Sequence, residues 1–219
     1  MDVFYTIKKK SKLGGKYGTK LHMNVSVATD HMRHKTGTNF SADGISYIGK
    51  PFDLNDSLYN FDFNIHLSKK FSKKWKASAH YYHFIFNNTV NPVTLLAKGY
   101  IKSDIFVLEA QYRIGRKHSI RGEIQGLFTE KDRGNWGAAL LEYTISPKWF
   151  FAIQDQYNFG HPDPALQLHY LLGSFGYIHN QTRFIFSYGK QRAGIVCVGG
   201  VCRPVPATNG LSFTMTHSF

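Results

Sequence analysis

Serine, histidine and aspartate are the side chains of this sequence whose types and spacing could support nucleophilic catalysis. Ser78, His80 and Asp62 fall on one face of neighbouring strands if each strand is regular, and they could act as nucleophile, base and orienting group. Polar residues at such spacing are expected on the polar face of any alternating sheet, however. We therefore predict no enzyme activity and no catalytic residue.

The eleven histidines raise the question of a metal site. His31-Met32-Arg33-His34 follows Asp30 in a predicted loop, which gives a short cluster of candidate ligands. His80 and His83 point to opposite faces of a regular strand, so they cannot chelate one ion together. Because no further ligand pair accompanies these residues, we predict neither a metal nor a cofactor.

The two cysteines flank a turn signal in the segment Cys197-Val-Gly-Gly-Val-Cys202. The spacing is too short for a zinc site without a second Cys or His pair. Gly199-Gly200 at the centre predicts a hairpin with the cysteines placed symmetrically about its tip. We expect a disulfide across this tip and hence an oxidising compartment; the alternative is two reduced cysteines in a cytosolic loop.

Alternation of apolar and polar residues dominates the rest of the chain, and no segment has a helical period. We predict one domain over residues 1–219: an all-β, up-and-down antiparallel transmembrane β-barrel of about 10–12 strands. The alternative is a soluble β-sandwich, which does not explain long strands together with loops that alternate between short and long. Eleven strands are predicted at 2–10, 18–29, 58–69, 75–87, 104–115, 119–130, 136–146, 149–159, 165–178, 182–196 and 209–219.

The alternation also assigns charged residues to the inside of such a barrel and to its periplasmic end. The predicted lumen carries both signs, on Asp62, His66, Lys76, Glu109, Arg113, Arg121, Glu123, Glu142 and Arg183. A basic rim is predicted at the short turns, on Lys8, Lys9, Lys10, Lys69, Lys70, Lys73, Lys74, Arg116 and Lys117. Aromatic residues near strand ends predict girdles at two lipid–water interfaces, with Phe86 and Trp136 among their members.

The strand count raises a problem of closure, because the first and last of eleven strands would run in the same direction. An antiparallel barrel needs an even number of strands. Either residues 1–17 form an arm, or they are part of a strand pair whose upstream residues are missing. We expect the second, since an unpaired edge in lipid costs several kcal/mol per group. The barrel is thus expected to be incomplete at its N-terminus.

The C-terminal part carries a family resemblance. Residues Gln191–Ala207, then Asn209-Gly210 and a strand that ends on Phe219, resemble an uncharacterised outer-membrane β-barrel family of Bacteroidota-type bacteria. The match is specific over residues 189–219 and looser upstream. The resemblance implies a barrel in the outer membrane, and longer relatives agree with a missing N-terminal part. It supplies no activity.

The last strand also resembles the C-terminal insertion signal that the barrel-assembly machinery reads. That signal has apolar or aromatic residues at alternating positions and ends on Phe, as Leu211, Phe213, Met215 and Phe219 do here. His217 departs from the pattern because an apolar or aromatic residue usually occupies its position.

The charge balance completes the functional expectation. Lys and Arg number 27 against 14 Asp and Glu, for a formal charge of +13, so an acidic partner is expected. We exclude nucleic acid, because the aromatic residues lie opposite the charges instead of between them.

We expect a non-enzymatic pore or solute-uptake channel in the bacterial outer membrane. Its partners would be membrane lipid and lipopolysaccharide, the barrel-assembly machinery and other envelope proteins. The alternative is a structural or docking subunit with a closed barrel and a basic periplasmic rim.

Overall fold

The computed structural model describes residues 1–31, 34–35, 47–48, 54–87, 89, 99–131, 134–198 and 201–218. The elements in this part of the chain are strands, apart from one short 3-10 helix at Pro164–Leu166. Within these ranges no helix has both the length and the apolar composition required to cross a membrane.

Fifteen strands occur along the described chain. They are β1 (Asp2–Ile7), β2 (Thr19–His31), β3 (His34–Lys35), β4 (Tyr47–Ile48), β5 (Leu54–Lys70), β6 (Trp75–Asn87), β7 (Tyr100–Arg113), β8 (His118–Phe128), β9 (Trp136–Ile145), β10 (Trp149–Tyr157), β11 (Leu172–His179), β12 (Thr182–Gln191), β13 (Gly194–Val198), β14 (Val201–Val205) and β15 (Thr208–His217).

Eleven of these strands form a single sheet in the order β1-β2-β5-β6-β7-β8-β9-β10-β11-β12-β15, and every neighbouring pair is antiparallel. The prediction of an all-β, up-and-down antiparallel fold with eleven strands is therefore confirmed. β3 with β4 and β13 with β14 form two separate hairpins. β3 and β4 pair within the link between β2 and β5, and the residues between these two strands lie outside the described ranges.

The register of the sheet is regular because each strand alternates apolar and polar residues. A slip by one residue would move every side chain to the opposite face, so the alternation fixes the pairing. Among the described residues the register shifts only in the β2–β5 pair, next to Thr29, at the end where these strands leave the sheet. From β5 to β15 each row of paired residues therefore continues across the sheet on one face.

Five predicted strand boundaries differ from the structure by three or more residues. β5 begins at Leu54 instead of residue 58, and β7 begins at Tyr100 instead of residue 104. The other three are wrong for a local reason. Residues 165–171 do not begin a strand, because Asp163 accepts a hydrogen bond from the Ala165 amide and Pro164 starts the 3-10 helix. The strand predicted at 182–196 ends at Gln191, where the chain leaves for β13. The first strand ends at Ile7 and not at residue 10, because Lys10 has a positive φ of 64° inside a turn.

The connections differ in length at the two ends of the sheet. We call one end the turn end, because most of its links are short: 8–18, 71–74, 114–117, 146–148 and 180–181. The shortest of these is closed by the His179–Thr182 pair, and Asn180 adopts the positive φ of 52° that such a tight turn favours. We call the opposite end the loop end, which has the links 32–53, 88–99, 129–135, 158–171 and 192–207.

The two edges of the sheet are β1 and β15, and they do not pair with each other in the part of the chain that the structure describes. They stand at odd positions in an antiparallel order, so they run in the same direction. Their direct antiparallel pairing is thereby excluded.

Candidate functional site

The eleven-stranded sheet has one polar and one apolar face. All nine residues predicted to line a lumen share the polar face by register: Asp62, His66, Lys76, Glu109, Arg113, Arg121, Glu123, Glu142 and Arg183. The charged side chains of six strands thus face the same space, which makes the polar face the candidate functional site.

The centre of the polar face is an ion network on β7, β8 and β9. The Arg121 guanidinium donates from Nε to Glu109 Oε2 at 3.0 Å and from Nη2 to Glu123 Oε2. Glu142 is directly opposite Arg121 in the register and only 6% exposed. Glu109 and Glu123 are themselves directly opposite, an arrangement that like charges disfavour. One arginine therefore holds together a region with three carboxylates.

The part of the polar face on β1, β2, β5 and β6 carries rings and amides, and we call it the ring half. Phe4 stacks on His22 with ring centroids 4.2 Å apart, and His66 stacks on His80 at 3.9 Å. His22, His66 and His80 follow one another in a single cross-strand row. These three histidines are half-buried, so the row is open to the space in front of the sheet.

Hydrogen bonds join the polar side chains of the ring half along and across its strands. Asp2 Oδ1 accepts from Asn24 Nδ2 at 2.9 Å and lies 3.0 Å from His22 Nε2. The Asn64 amide donates to Asn24 Oδ1 at 3.3 Å and to Asp62 Oδ1 at 3.1 Å. These bonds connect polar side chains of β1, β2 and β5, and His22 is the member of the histidine row that takes part in them.

The part of the polar face on β9 to β12 contains an apolar core, and we call it the core half. Phe150 is 1% exposed, and Ala152 and Ile185 are 8% and 6% exposed. A Cβ on Gly176 would lie 2.0 Å from the Phe150 ring, so the ring fills the place that a side chain there would need. The Arg183 guanidinium lies 5.3 Å from the centroid of the same ring.

The opposite, apolar face has large side chains that remain exposed. Leu108, Ile124, Leu141 and Ile153 are 51–57% exposed although they occupy the middles of their strands. In the described ranges no second sheet or helix packs over them. An uncovered apolar face of this size marks contact with another apolar phase or molecule.

Aromatic pairs and polar clusters occur toward the two ends of the apolar face. At the turn end Trp75 packs against Tyr112 and Trp149 against Tyr177, with ring centroids 4.7 and 4.2 Å apart. Toward the loop end Asp104 accepts from the Tyr81 hydroxyl at 2.7 Å and lies 2.8 Å from His83 Nδ1, so polar groups collect at this end of the apolar face.

Two of the predicted girdle residues are placed differently. Phe86 pairs with Asn60, and Trp136 pairs with Leu127, so both lie on the polar face by register. Their position at strand ends predicts a girdle, but the alternation along each strand decides which face a residue lies on.

The candidate catalytic residues come together only in part. His80 Nε2 lies 3.2 Å from Ser78 Oγ, whereas His80 Nδ1 faces the Tyr82 hydroxyl at 3.3 Å. Asp62 binds Asn64 instead of His80, because Asp62 is directly opposite Phe84 in the register. The described residues therefore show a serine–histidine contact without an orienting carboxylate.

No group of three or more His, Cys, Asp or Glu residues among the described ones could hold a metal ion. The side chains of His31 and His34, and all of Met32 and Arg33, lie outside the described part. His83 shares the apolar face with Asp104, whose Oδ1 it meets at 2.8 Å, so it faces away from His80 as expected.

The predicted basic residues all lie at or beside links of the turn end: Lys8, Lys9, Lys10, Lys69, Lys70, Lys73, Lys74, Arg116 and Lys117. All of them except Lys69 are exposed. Lys69 donates to the Leu13 carbonyl at 2.9 Å, and Lys70 lies over the Tyr17 ring at 5.1 Å. These two contacts join the link 8–18 to the end of β5.

The predicted insertion signal is on the edge strand β15. Leu211, Phe213 and Met215 are on the apolar face and 55–77% exposed, while Phe219 lies outside the described residues.

β13 and β14 form the predicted hairpin, with Cys197 and Cys202 directly opposite each other. The side chains of both cysteines lie outside the described part, so the disulfide stays a prediction.

Sequence reasoning missed the core half and the fold-back of the chain between β12 and β15 onto it. Alternation assigns a face to a residue but does not say what covers that face. Glycine at position 176 on the polar face was the one available signal, because it leaves room for a ring on the next strand.

These features define an all-β protein built on one antiparallel sheet with oppositely polar faces. The chain belongs to the family described as "Family of unknown function (DUF6029)", which matches residues 1–219. The prediction that the chain belongs to an uncharacterised family is confirmed, and the match covers the whole chain. Comparison with the curated proteins and with the solved structures finds no match.

Proposed function

We propose that this chain forms the wall of a β-barrel in the bacterial outer membrane and acts there as a non-enzymatic pore for small solutes. The observation that carries the proposal is the inverted polarity of the sheet. Large apolar side chains such as Ile124 are 57% exposed on one face, whereas Glu142 on the other face is 6% exposed. Lipid, and not water, is the solvent that stabilises such an apolar face.

Strand length supports a membrane location. A tilted strand needs about 9–11 residues to cross the hydrocarbon core. β6 and β7 have 13 and 14 residues, and their apolar-face side chains stay apolar through the middle of each strand. Aromatic pairs at the turn end, such as Trp75 with Tyr112, occupy the position of an interfacial girdle.

The polar face is the proposed solute pathway. It carries mixed charge on strands β5 to β12, from Asp62 to Arg183, which suits a water-filled interior. Because β1 and β15 run in the same direction, antiparallel closure needs at least one further strand between them. The diameter, and with it the openness of the pathway, grows with the final strand number.

The proposed setting includes specific partners. Outer-membrane lipid and lipopolysaccharide would cover the apolar face, and the barrel-assembly machinery would read the exposed edge strand that holds Leu211, Phe213 and Met215. The direct pairing of Cys197 with Cys202 in the hairpin register favours a disulfide in an oxidising envelope. We extend the proposal to the family, as outer-membrane barrels of Bacteroidota-type bacteria.

Planar-bilayer recording tests the pore. Full-length protein purified in detergent is expected to give discrete conductance steps, and a heat-denatured sample of the same preparation is the control. Conductance steps equal in frequency to those of the denatured control would contradict the pore. Extraction of the protein into the aqueous phase without detergent would contradict the membrane location itself.

The basic turn end favours a second candidate, a docking subunit for an acidic envelope protein. Lys73, Lys74, Arg116 and Lys117 are exposed on adjacent turns of one end. Replacement of Lys69, Lys70, Lys73 and Lys74 by glutamine is expected to release a co-purifying acidic partner and to leave any conductance unchanged. Retention of that partner at the same yield would argue for contact with anionic lipid headgroups only.

A further inference from the structure

Four aromatic rings follow one another along β6 on the polar face, from the middle of the strand toward the loop end. His80, Tyr82, Phe84 and Phe86 occupy every second position, so all four side chains point to the same face. The centroids of the first and second rings are 6.2 Å apart and those of the second and third 6.1 Å, with interplanar angles of 15° and 5°. We call these four half-buried residues the ring ladder.

A polar side chain on β5 accompanies each ring of the ladder. The directly opposite pairs are His80 with His66, Tyr82 with Asn64, Phe84 with Asp62, and Phe86 with Asn60. Side chains in such positions have Cβ atoms about 4.5–5.5 Å apart. A molecule in contact with the ring ladder is therefore within reach of these four β5 residues, which we call the polar flank.

The strand on the other side of the ring ladder is mostly apolar at the same level. Val107, Ile105 and Ile101 of β7 are directly opposite three of the four rings. Ser103 is opposite the fourth, Phe84. The ladder thus has hydrogen-bonding groups along one side only, and apolar surface in its centre and along its other side.

The polar flank offers both donors and acceptors, with little charge. Asn64 Nδ2 donates to Asp62 Oδ1 at 3.1 Å and to Asn24 Oδ1 at 3.3 Å, so the amides and the carboxylate are linked. An amide donates and accepts, and a carboxylate accepts several bonds. Asp62 is the one carboxylate beside two neutral amides and an imidazole. Such a flank suits a ligand with hydroxyl groups better than a highly charged ligand.

From this arrangement we propose that the ring ladder and the polar flank bind neutral oligosaccharides. A pyranose unit has an apolar patch of C–H groups, which packs on aromatic surface, and a rim of hydroxyls, which exchange hydrogen bonds with amides and carboxylates. The binding surface repeats every two residues, about 7 Å along a strand, and a chain of sugar units is also repetitive. The inference rests on the proposed pore, through which water and solute reach the polar face, and it names the solute class.

Calorimetric titration of the full-length protein with three neutral hexasaccharides, maltohexaose, cellohexaose and xylohexaose, tests the binding surface. The protein is kept in lauryl dimethylamine oxide, because a detergent with a sugar headgroup would compete. Saturable binding of at least one probe is expected. Tyr82→Ala is expected to weaken it about threefold to tenfold, and Tyr82→Phe, which keeps the ring, to weaken it less. Phe106→Ala is the matched control, because its ring is 49% exposed on the apolar face.

The outcomes separate the binding surface from the pore. No saturable binding of any hexasaccharide to folded wild type would overturn the binding surface, while conductance steps in planar bilayers would still support the pore. Equal affinity in the wild type and Tyr82→Ala, or equal binding of polyethylene glycol of the same mass, would also overturn it. Affinity lost in Tyr82→Ala and kept in Phe106→Ala, together with silent bilayers, would support sugar binding and overturn the pore.

Discussion

The ring half and the core half belong to one face of one sheet, yet they differ in what they bury. In the ring half large polar side chains such as His66, His80 and Tyr82 are half-buried, with His80 stacked on His66 and 3.3 Å from the Tyr82 hydroxyl. In the core half Phe150 and Ile185 are almost completely buried. Both halves follow the same alternation, so alternation does not cause the difference.

Side-chain size and cover explain the contrast. The core half has small residues on its polar face, including Gly176 and Ala152, and these leave space for the Phe150 ring. The connection between β12 and β15 then adds Val205 to the same cluster. In this single-layered sheet, apolar side chains are buried where small residues lie beside a large ring and a returning segment packs over the same place.

Removing the central ring gives the largest expected effect on this contrast. Phe150→Ala is expected to lower the free energy of unfolding by about 3–5 kcal/mol, because it leaves a cavity in the only apolar cluster of the polar face among the described residues. Tyr82→Ala in the ring half should cost less than about 1 kcal/mol. Urea unfolding in phospholipid vesicles measures the free energy of unfolding of both variants. Equal losses of stability would contradict the difference between the two halves.

Filling the space beside the ring gives the next largest effect. Gly176→Ala is expected to destabilise the protein by about 2–3 kcal/mol, since the added Cβ would lie 2.0 Å from a ring that is 1% exposed. Gly122→Ala is the matched control, because its Cβ would meet no atom within 4 Å. Thermal unfolding of both variants in one detergent is the measurement, and a Gly176 variant as stable as the control would contradict the tight packing.

Breaking the ion network between the halves gives the smallest effect. Arg121→Gln is expected to cost about 1–2 kcal/mol at pH 7, as it leaves Glu109 and Glu123 facing each other without a cation. Urea unfolding at pH 7 measures this loss, and Arg121→Lys, which keeps the charge, should lose less than the glutamine variant.

The sequence predicts the strands better than it predicts what packs on them. A period of two along the chain predicts the eleven strands. Because consecutive strands are also neighbours in the sheet, the same period predicts a common face for residues such as Asp62 and Arg183. Contacts between distant segments leave no such pattern. Val205 on the Phe150 cluster and Arg192 on Trp136 join residues far apart in sequence, and periodicity carries no signal for them.

The pairing of each strand with the next one along the chain also bears on how the sheet forms. Four hairpins, β5–β6, β7–β8, β9–β10 and β11–β12, are closed by short links at the turn end. Closing a short loop costs little chain entropy, so each hairpin is a local unit that can pair before its neighbours are in place. The β1–β2 pair has a longer link, and β15 can join β12 only after the intervening 192–207 segment has been spanned. Assembly by successive addition of hairpins, with β15 as the last and slowest strand, is the kinetic order that this topology favours.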